Sequence, residues 1–212
     1  MKPCLAVLLC CCFFVACSQK APAPVPTPPG TTKVSVTVAP PPKPVMTKED
    51  FVDKLLDPSQ SPNAMGAIRA GFTDTQNRIS DAAIIFAMWA SKRLTWRDFY
   101  VEDDETTIAK VMKDSDESRG KRMCYGGQVI QILVNKTKYG KIAEGLLMTG
   151  DMKFLSFLAV GSTGDLVERS RGRFCGVVTG RYSFANSAGG TTHSVQVVGM
   201  FDLPENNGKK GR

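Results

Sequence analysis

The stretch RGKRMCYGGQVIQI, residues 119–132, is where the chain changes character and where its fold is decided. Upstream lie capped, helix-like segments in which acids outnumber bases. Downstream, apolar residues alternate, glycines punctuate the runs and bases outnumber acids. Ile130, Ile132 and Val134 alternate with Val129, Gln131 and Leu133, the period-two pattern of a strand with two distinct faces. Gly126-Gly127 inside the same run predicts a bulge or bend in a long strand. Further strands are predicted at 141–149, 153–160, 172–184 and 194–201. Five strands, the first long and bent and the third and fourth joined by a longer connection, outline a small Greek-key barrel.

Residues 47–118 read as helical. Thr47-Lys-Glu-Asp50 and Thr95-Trp-Arg-Asp98 each place an acid three residues after a capping threonine. Ser80-Asp81 precedes Ala82–Ala90 (AAIIFAMWA), a run apolar on every side, and Lys92-Arg93 suit its C-terminal dipole. A helix apolar all round belongs in the middle of a domain. A further helix is predicted near Thr106–Lys113. The acidic run Asp114–Glu117 lacks the spaced ligands and glycine of a calcium loop and reads as a solvated turn.

Ahead of the helices stand two segments that cannot build a core. From Cys4 to Cys17 fourteen consecutive residues are apolar, too few to span a bilayer but suited to the apolar region of a secretory signal. Phe14-Val15-Ala16-Cys17 closes the run as a bacterial lipobox does, so residues 1–16 are expected to be a lipoprotein signal peptide. Cys17 is then the acylated, palmitate-type first residue of the mature chain. Ser18 follows it, which leans towards the periplasmic face of the outer membrane over the inner membrane. Residues 17–46 hold Pro22, Pro24, Pro26, Pro28-Pro29 and Pro40-Pro41-Pro42 with Pro44. They are expected to be a disordered, extended tether, because proline removes donors and favours polyproline II.

The leader also reorganises the cysteine argument. Of seven cysteines, Cys4, Cys10, Cys11 and Cys12 leave with the signal and Cys17 is lipidated. Cys124 and Cys175 remain, and in an oxidising compartment they read either as one structural disulfide or as two buried thiols. With one histidine, His193, and no CxxC pair, neither metal nor cofactor is expected. No phosphate-binding loop, dinucleotide fingerprint or defensible Ser/His/Asp order is present, so the chain leans away from being an enzyme. A carboxylate pair across a cleft is beyond what a sequence can place.

Charge follows the same division. Residues 47–118 carry nine Lys/Arg and fourteen Asp/Glu, whereas 119–212 carry fourteen and six. A pI near 9.1 therefore hides an acidic helical part and a basic strand-rich part, with a basic tail at 208–212.

The phrases RGKRMCYGGQVIQI, FLAVGSTGDLVERSRGRFCGVVTGRY and SVQVVGMFDLP resemble the strands of OB-fold domains of the anticodon-binding-like kind. They also resemble bacterial lipoproteins that join a helical segment to such a barrel. The resemblance covers about 85 residues, rests on pattern and glycine placement, and carries no catalytic motif. It implies an α+β architecture: a helical subdomain (47–118) packed on a five-stranded OB-like Greek-key β-barrel (119–207). It further implies that the first and fourth strands are neighbours, bringing Cys124 and Cys175 within bridging reach.

OB domains hold ligands with basic side chains interleaved with aromatics. Arg169, Arg171 and Arg173, spaced by two, share one face if they lie in a strand, and Arg181 with Tyr182 lies at its far end. This is either an anionic-ligand surface or a charged edge that blocks strand-to-strand pairing. An envelope location argues against nucleic acid and favours an anionic glycan, a lipid headgroup or an acidic protein surface. The expected function is a membrane-anchored periplasmic binding or interaction module without catalysis. The alternatives are a structural accessory subunit of an envelope complex and a hydrolase of envelope polymers.

Overall fold

The computed structural model describes residues 46–57 and 61–207. The expected signal peptide, the expected lipidation site Cys17, the expected tether as far as residue 45 and the basic tail lie outside the described residues. Among those described, no helix is long and apolar enough to cross a membrane.

The architecture is α+β, with five short helices and a two-residue strand followed by five long strands and a final turn of helix. Helix α1 (Lys48–Leu56) begins at the predicted capping box: the Thr47 N–H donates to Asp50 at 3.0 Å and the Asp50 N–H to Thr47 Oγ1 at 3.1 Å. Helix α2 (Ser61–Ala70) leads to strand β1 (Thr75–Gln76). Helix α3 (Asp81–Arg93) is capped by Ser80, whose Oγ accepts from the Ala83 N–H at 3.1 Å. The single-turn α4 (Trp96–Phe99) starts where Asp98 accepts from the Thr95 N–H at 2.7 Å. Helix α5 (Ile108–Lys113) ends the helical part.

Strands β2 (Arg122–Thr137), β3 (Gly140–Thr149), β4 (Phe154–Val160), β5 (Arg171–Ala185) and β6 (Thr191–Phe201) follow, then α6 (Pro204–Asn207). The sheet order is β1-β5-β2-β3-β4-β6, and β6 pairs with β5 as well. All pairings are antiparallel except β4–β6 and β1–β5. The sheet thus has six strands where five were expected. The extra one, β1, is two residues long, too short to show a period, and joins β5 opposite Tyr182 and Ser183.

The predicted bend in β2 is present but lies elsewhere. Gly126 and Gly127 keep register with Arg173 and Gly172, and the slip falls between Val129 and Gln131. Gly127 serves close packing instead, since a Cβ there would sit 2.4 Å from the Met148 carbonyl oxygen and 2.7 Å from the Leu147 side chain. A second slip, between Val178 and Gly180, divides β5 into two halves.

Two apolar layers hold the fold. Val129, Leu147, Leu155, Phe174 and Val195, one from each long strand, meet in one buried cluster on the inner face of the sheet. The rings of Phe157, Phe174 and Phe201 converge in it with centroids 5.0–5.4 Å apart. Truncating one of these to alanine costs about 3–5 kcal/mol. The opposite face carries Ile142, Leu158, Val177, Val198 and Met200, which are covered by Phe86 and Trp89 of α3 with Phe72 and Phe99. That is why α3 is apolar on all sides: it is wedged between the sheet and α1 and α2. The β2–β3 hairpin also grips α1. The Tyr139 hydroxyl lies 2.8 Å from both the Glu49 carbonyl and Asp53, between which its one proton is shared, and Lys138 pairs with Asp53 at 2.7 Å.

Candidate functional site

Strand β5 carries most of the residues singled out from the sequence, and its bulge distributes them. Arg171 and Arg173 are exposed and stand opposite Gln128 and Gly126 of β2. Counting by twos leads from them to Cys175 and Val177 on the helix-covered face. Thr179 is the extra residue, so the alternation reverses beyond it: Arg181 opposes the inner-face Val195, and Tyr182 and Phe184 take the outer side. Arg169 lies just before the strand, in a turn with φ of 71°. Its N–H donates to the Val129 carbonyl at 2.8 Å and its carbonyl accepts from Gln128 Nε2 at 3.3 Å. Arg169, Arg171 and Arg173 therefore gather at one end of β5, and Arg181 and Tyr182 belong to other surroundings.

Arg181 is built into the fold. Its Nε donates to Asp74 Oδ2 at 2.6 Å and its N–H to Asp74 Oδ1 at 2.8 Å. Arg119 reaches the same carboxylate at 3.0 Å and the Ser115 hydroxyl donates to it at 3.0 Å. Partial burial pushes the Asp74 carboxyl up, but the bonds from Arg181, Arg119 and Ser115 outweigh this and hold it at about 2. The neighbouring Asp114 Oδ1 accepts from the Asp116 and Glu117 N–H groups, so the acidic run is a turn. Among the described residues, no group of three His, Cys, Asp or Glu side chains is arranged to hold a metal ion.

Besides a cavity of about 320 Å³ lined by Asp74, Met112, Arg181, Ser183 and His193, two concavities remain. The first, about 610 Å³, is a groove over β2, β3 and the start of β5. Arg171, Arg173, Gln128, Met148 and Met152 line it, and glycines 126, 127, 150 and 172 supply much of the rest. The second, about 350 Å³, lies on the outer face of β2, β3 and β4 where α3 no longer covers the sheet. Its polar lining is Asn77, Arg78, Gln131, Glu144 and Ser156, and Tyr182 and Phe184 form a wall. Those two rings stack on each other, centroids 5.5 Å apart and planes 26° apart, so they present one extended aromatic surface.

The register explains this second site. Gln131 pairs with Leu146, Leu146 with Ser156, and Ser156 with Gln196, so one row crosses four strands. Ser156 is only 5 % exposed, yet its hydroxyl has no hydrogen-bond partner among the described residues. Its neighbour Gln196 is fully buried, and its Nε2 is likewise without an acceptor. A buried amide left unsatisfied costs about 1–3 kcal/mol, whereas the Ser156 hydroxyl opens onto the cavity. A hydroxyl that faces a cavity without a protein partner can donate to and accept from whatever enters it.

No family model matches the chain, and no curated protein matches it. Among solved structures, the chain is similar to the mitochondrial single-stranded DNA-binding protein Rim1 of S. cerevisiae. The likeness has a TM-score of 0.27 and 12 % identity and covers 42 % of this chain and 97 % of that one. At that level it carries no argument about ligand.

Cys124 and Cys175 form a disulfide between directly opposed positions of β2 and β5. Several residues of interest gave no sign in the sequence. Asp74, the hub of the ion cluster, sits in an unremarkable TDTQ segment. Ser156 is one small residue in an otherwise apolar run. Ser183 and His193 are paired across β5 and β6, with Ser183 Oγ 2.8 Å from His193 Nδ1. Only knowledge of the β5–β6 register, bulge included, brings that pair together.

Proposed function

We propose that the chain is a non-catalytic binding module, held at a bacterial envelope membrane by acylation of Cys17, and that it binds a segment of envelope glycan. The six-stranded sheet is read as an OB-like barrel with β1 added at one margin. The pairings β2–β3–β4, β4–β6, β6–β5 and β5–β2 support that reading, with the β4–β6 pair parallel.

One observation carries the ligand reading: the nearly buried, unpartnered Ser156 hydroxyl in the lining of a polar cavity with an aromatic wall. A sugar ring offers an apolar face to such a wall and hydroxyls to the surrounding polar groups. Gln131, Glu144, Ser156 and Arg78 supply donors and acceptors of both kinds. One arginine and one glutamate leave the lining without net charge, which suits a neutral sugar. Tyr182 and Phe184 stack on each other and so leave no slot between them for a flat base.

The hydrolase alternative has one favourable observation, the Ser183–His193 hydrogen bond. The carboxylate that lines a cavity together with Ser183 and His193 is Asp74, which Arg119 and Arg181 already engage. It is committed to the guanidinium groups, so it does not serve as the orienting acid of a triad.

The test is calorimetric titration of the full chain with N-acetylglucosamine oligomers. Binding should weaken about tenfold or more, roughly 1.4 kcal/mol, in Tyr182→Ala and in Gln131→Ala. Affinity unchanged in both variants would remove the pocket as the ligand site.

A further inference from the structure

We propose that the Arg171/Arg173 groove is a second binding site, one that takes the phosphate of an anionic phospholipid headgroup and lays this end of the sheet on a membrane surface. The inference is independent of the glycan reading, which concerns other residues.

Charge is the first argument. Strand-borne Arg122 and Arg181 both have carboxylate partners, Glu105 and Asp74. Arg169, Arg171 and Arg173 form no ion pair among the described residues, although they stand within five positions of one another. No acidic side chain lines the groove. A planar guanidinium matches phosphate oxygens with paired N–H donors, and the groove lining holds two of them on one strand face. The glycine floor keeps the approach open, since a Cβ at Gly126, directly opposite Arg173, would meet nothing within 4 Å.

The second argument is the apolar fringe. Met152 is 73 % exposed in the turn between β3 and β4 and lines the groove. Val167, 61 % exposed, lies in the loop that leads into Arg169. Tyr100 is 39 % exposed, and the Arg173 guanidinium lies over its ring at 5.4 Å. Met152 lines the groove beside Arg171 and Arg173, and Val167 stands two positions before Arg169. At a lipid interface the same set is matched throughout: arginines to phosphate, tyrosine to the headgroup layer, methionine and valine to the acyl boundary. An acidic protein face would satisfy the arginines and leave Met152 and Val167 without a partner, which is why lipid is the occupant chosen.

The experiment is flotation of the full chain with vesicles of phosphatidylcholine containing phosphatidylglycerol, set against phosphatidylcholine alone. Wild type is compared with Arg171→Gln/Arg173→Gln, and both proteins carry the same N-terminal segment, so their difference reads the groove. Losing two arginines should reduce the phosphatidylglycerol-dependent affinity on the order of 30-fold, with a difference that shrinks as salt is raised. Met152→Asp, on an exposed turn, should weaken binding with the arginines intact. It also carries the test should the arginine variant misfold. Equal preference for phosphatidylglycerol in wild type and both variants would overturn the proposal. So would arginine-dependent binding to a uronate oligosaccharide with none to phosphatidylglycerol vesicles. Failure of the glycan reading shows instead as Tyr182 and Gln131 variants that bind sugar like wild type, and leaves the flotation result untouched.

Discussion

Cys124 of β2 and Cys175 of β5 are direct cross-strand partners joined by a disulfide, and the bond ties the two strands where the sheet meets the helices. Cys175 is fully buried among the residues that α3 covers, and the Cys124 N–H donates to Asp104 at 2.7 Å. The link spans 51 positions of sequence, so it removes much freedom from the unfolded chain.

From that loop length, reduction or the Cys124→Ser/Cys175→Ser variant should cost about 4 kcal/mol in the chain-entropy model. Urea titration of oxidised and reduced protein measures the difference. Identical midpoints would mean that the bond does not constrain the unfolded state.

Asp74 makes stability depend on pH in a definite direction. Its folded pKa of about 2 lies below the ordinary 3.8, so the stabilisation is complete above about pH 4 and is lost as pH falls towards 2. The shift corresponds to about 1–2 kcal/mol once the solvent exposure of Asp74 and Arg181 is allowed for. Asp74→Asn should lose that amount at neutral pH, and its unfolding midpoint should converge with wild type near pH 2. A constant gap across the range would assign the loss to packing and not to charge. Glu105 and Asp53 are lowered as well, Glu105 by Arg122 against the opposing effect of burial and Asp53 by Lys138, and they add slope of the same sign.

How far the sequence could be read follows from these residues. The capping threonines Thr47 and Thr95 and the five long strands were legible because caps and alternation are local signals, decided within a few residues. The exceptions are non-local. Ile130 and Thr179 are bulged by the register of neighbouring strands, and neither is a glycine, so both slips were invisible. The slip at Thr179 is what puts Arg181 on the opposite face of β5 from Arg171 and Arg173. Strand β1 exists only because the Thr73–Gln76 segment crosses Gly180, and Ser156 matters only because of the row it shares with Gln131 and Gln196.

Gly180 is the backbone requirement behind that crossing. Its φ is 149°, and a Cβ there would come within 2.7 Å of the Thr73 carbonyl oxygen. Gly180→Ala should therefore cost about 2–4 kcal/mol, combining backbone strain with the displaced segment. The loss should include the pairing of Thr75 with Tyr182, seen as faster amide hydrogen exchange at Asn77, whose N–H donates to the Ser183 carbonyl. Wild-type protection in the variant would show that the segment does not need the glycine.

Ser156 separates a ligand site from a structural one. A hydroxyl that stabilises a fold has an internal partner, and removing it destabilises the protein by about 1 kcal/mol. The Ser156 hydroxyl has none among the described residues, in a position 5 % exposed beside the cavity. Ser156→Ala should consequently leave the melting temperature unchanged. The same variant should weaken oligosaccharide binding about fivefold or more, the loss of one hydrogen bond made only with ligand. Thermal unfolding and titration of the one variant give both values. A drop in stability with binding intact would make Ser156 part of the core and leave the cavity without its decisive residue.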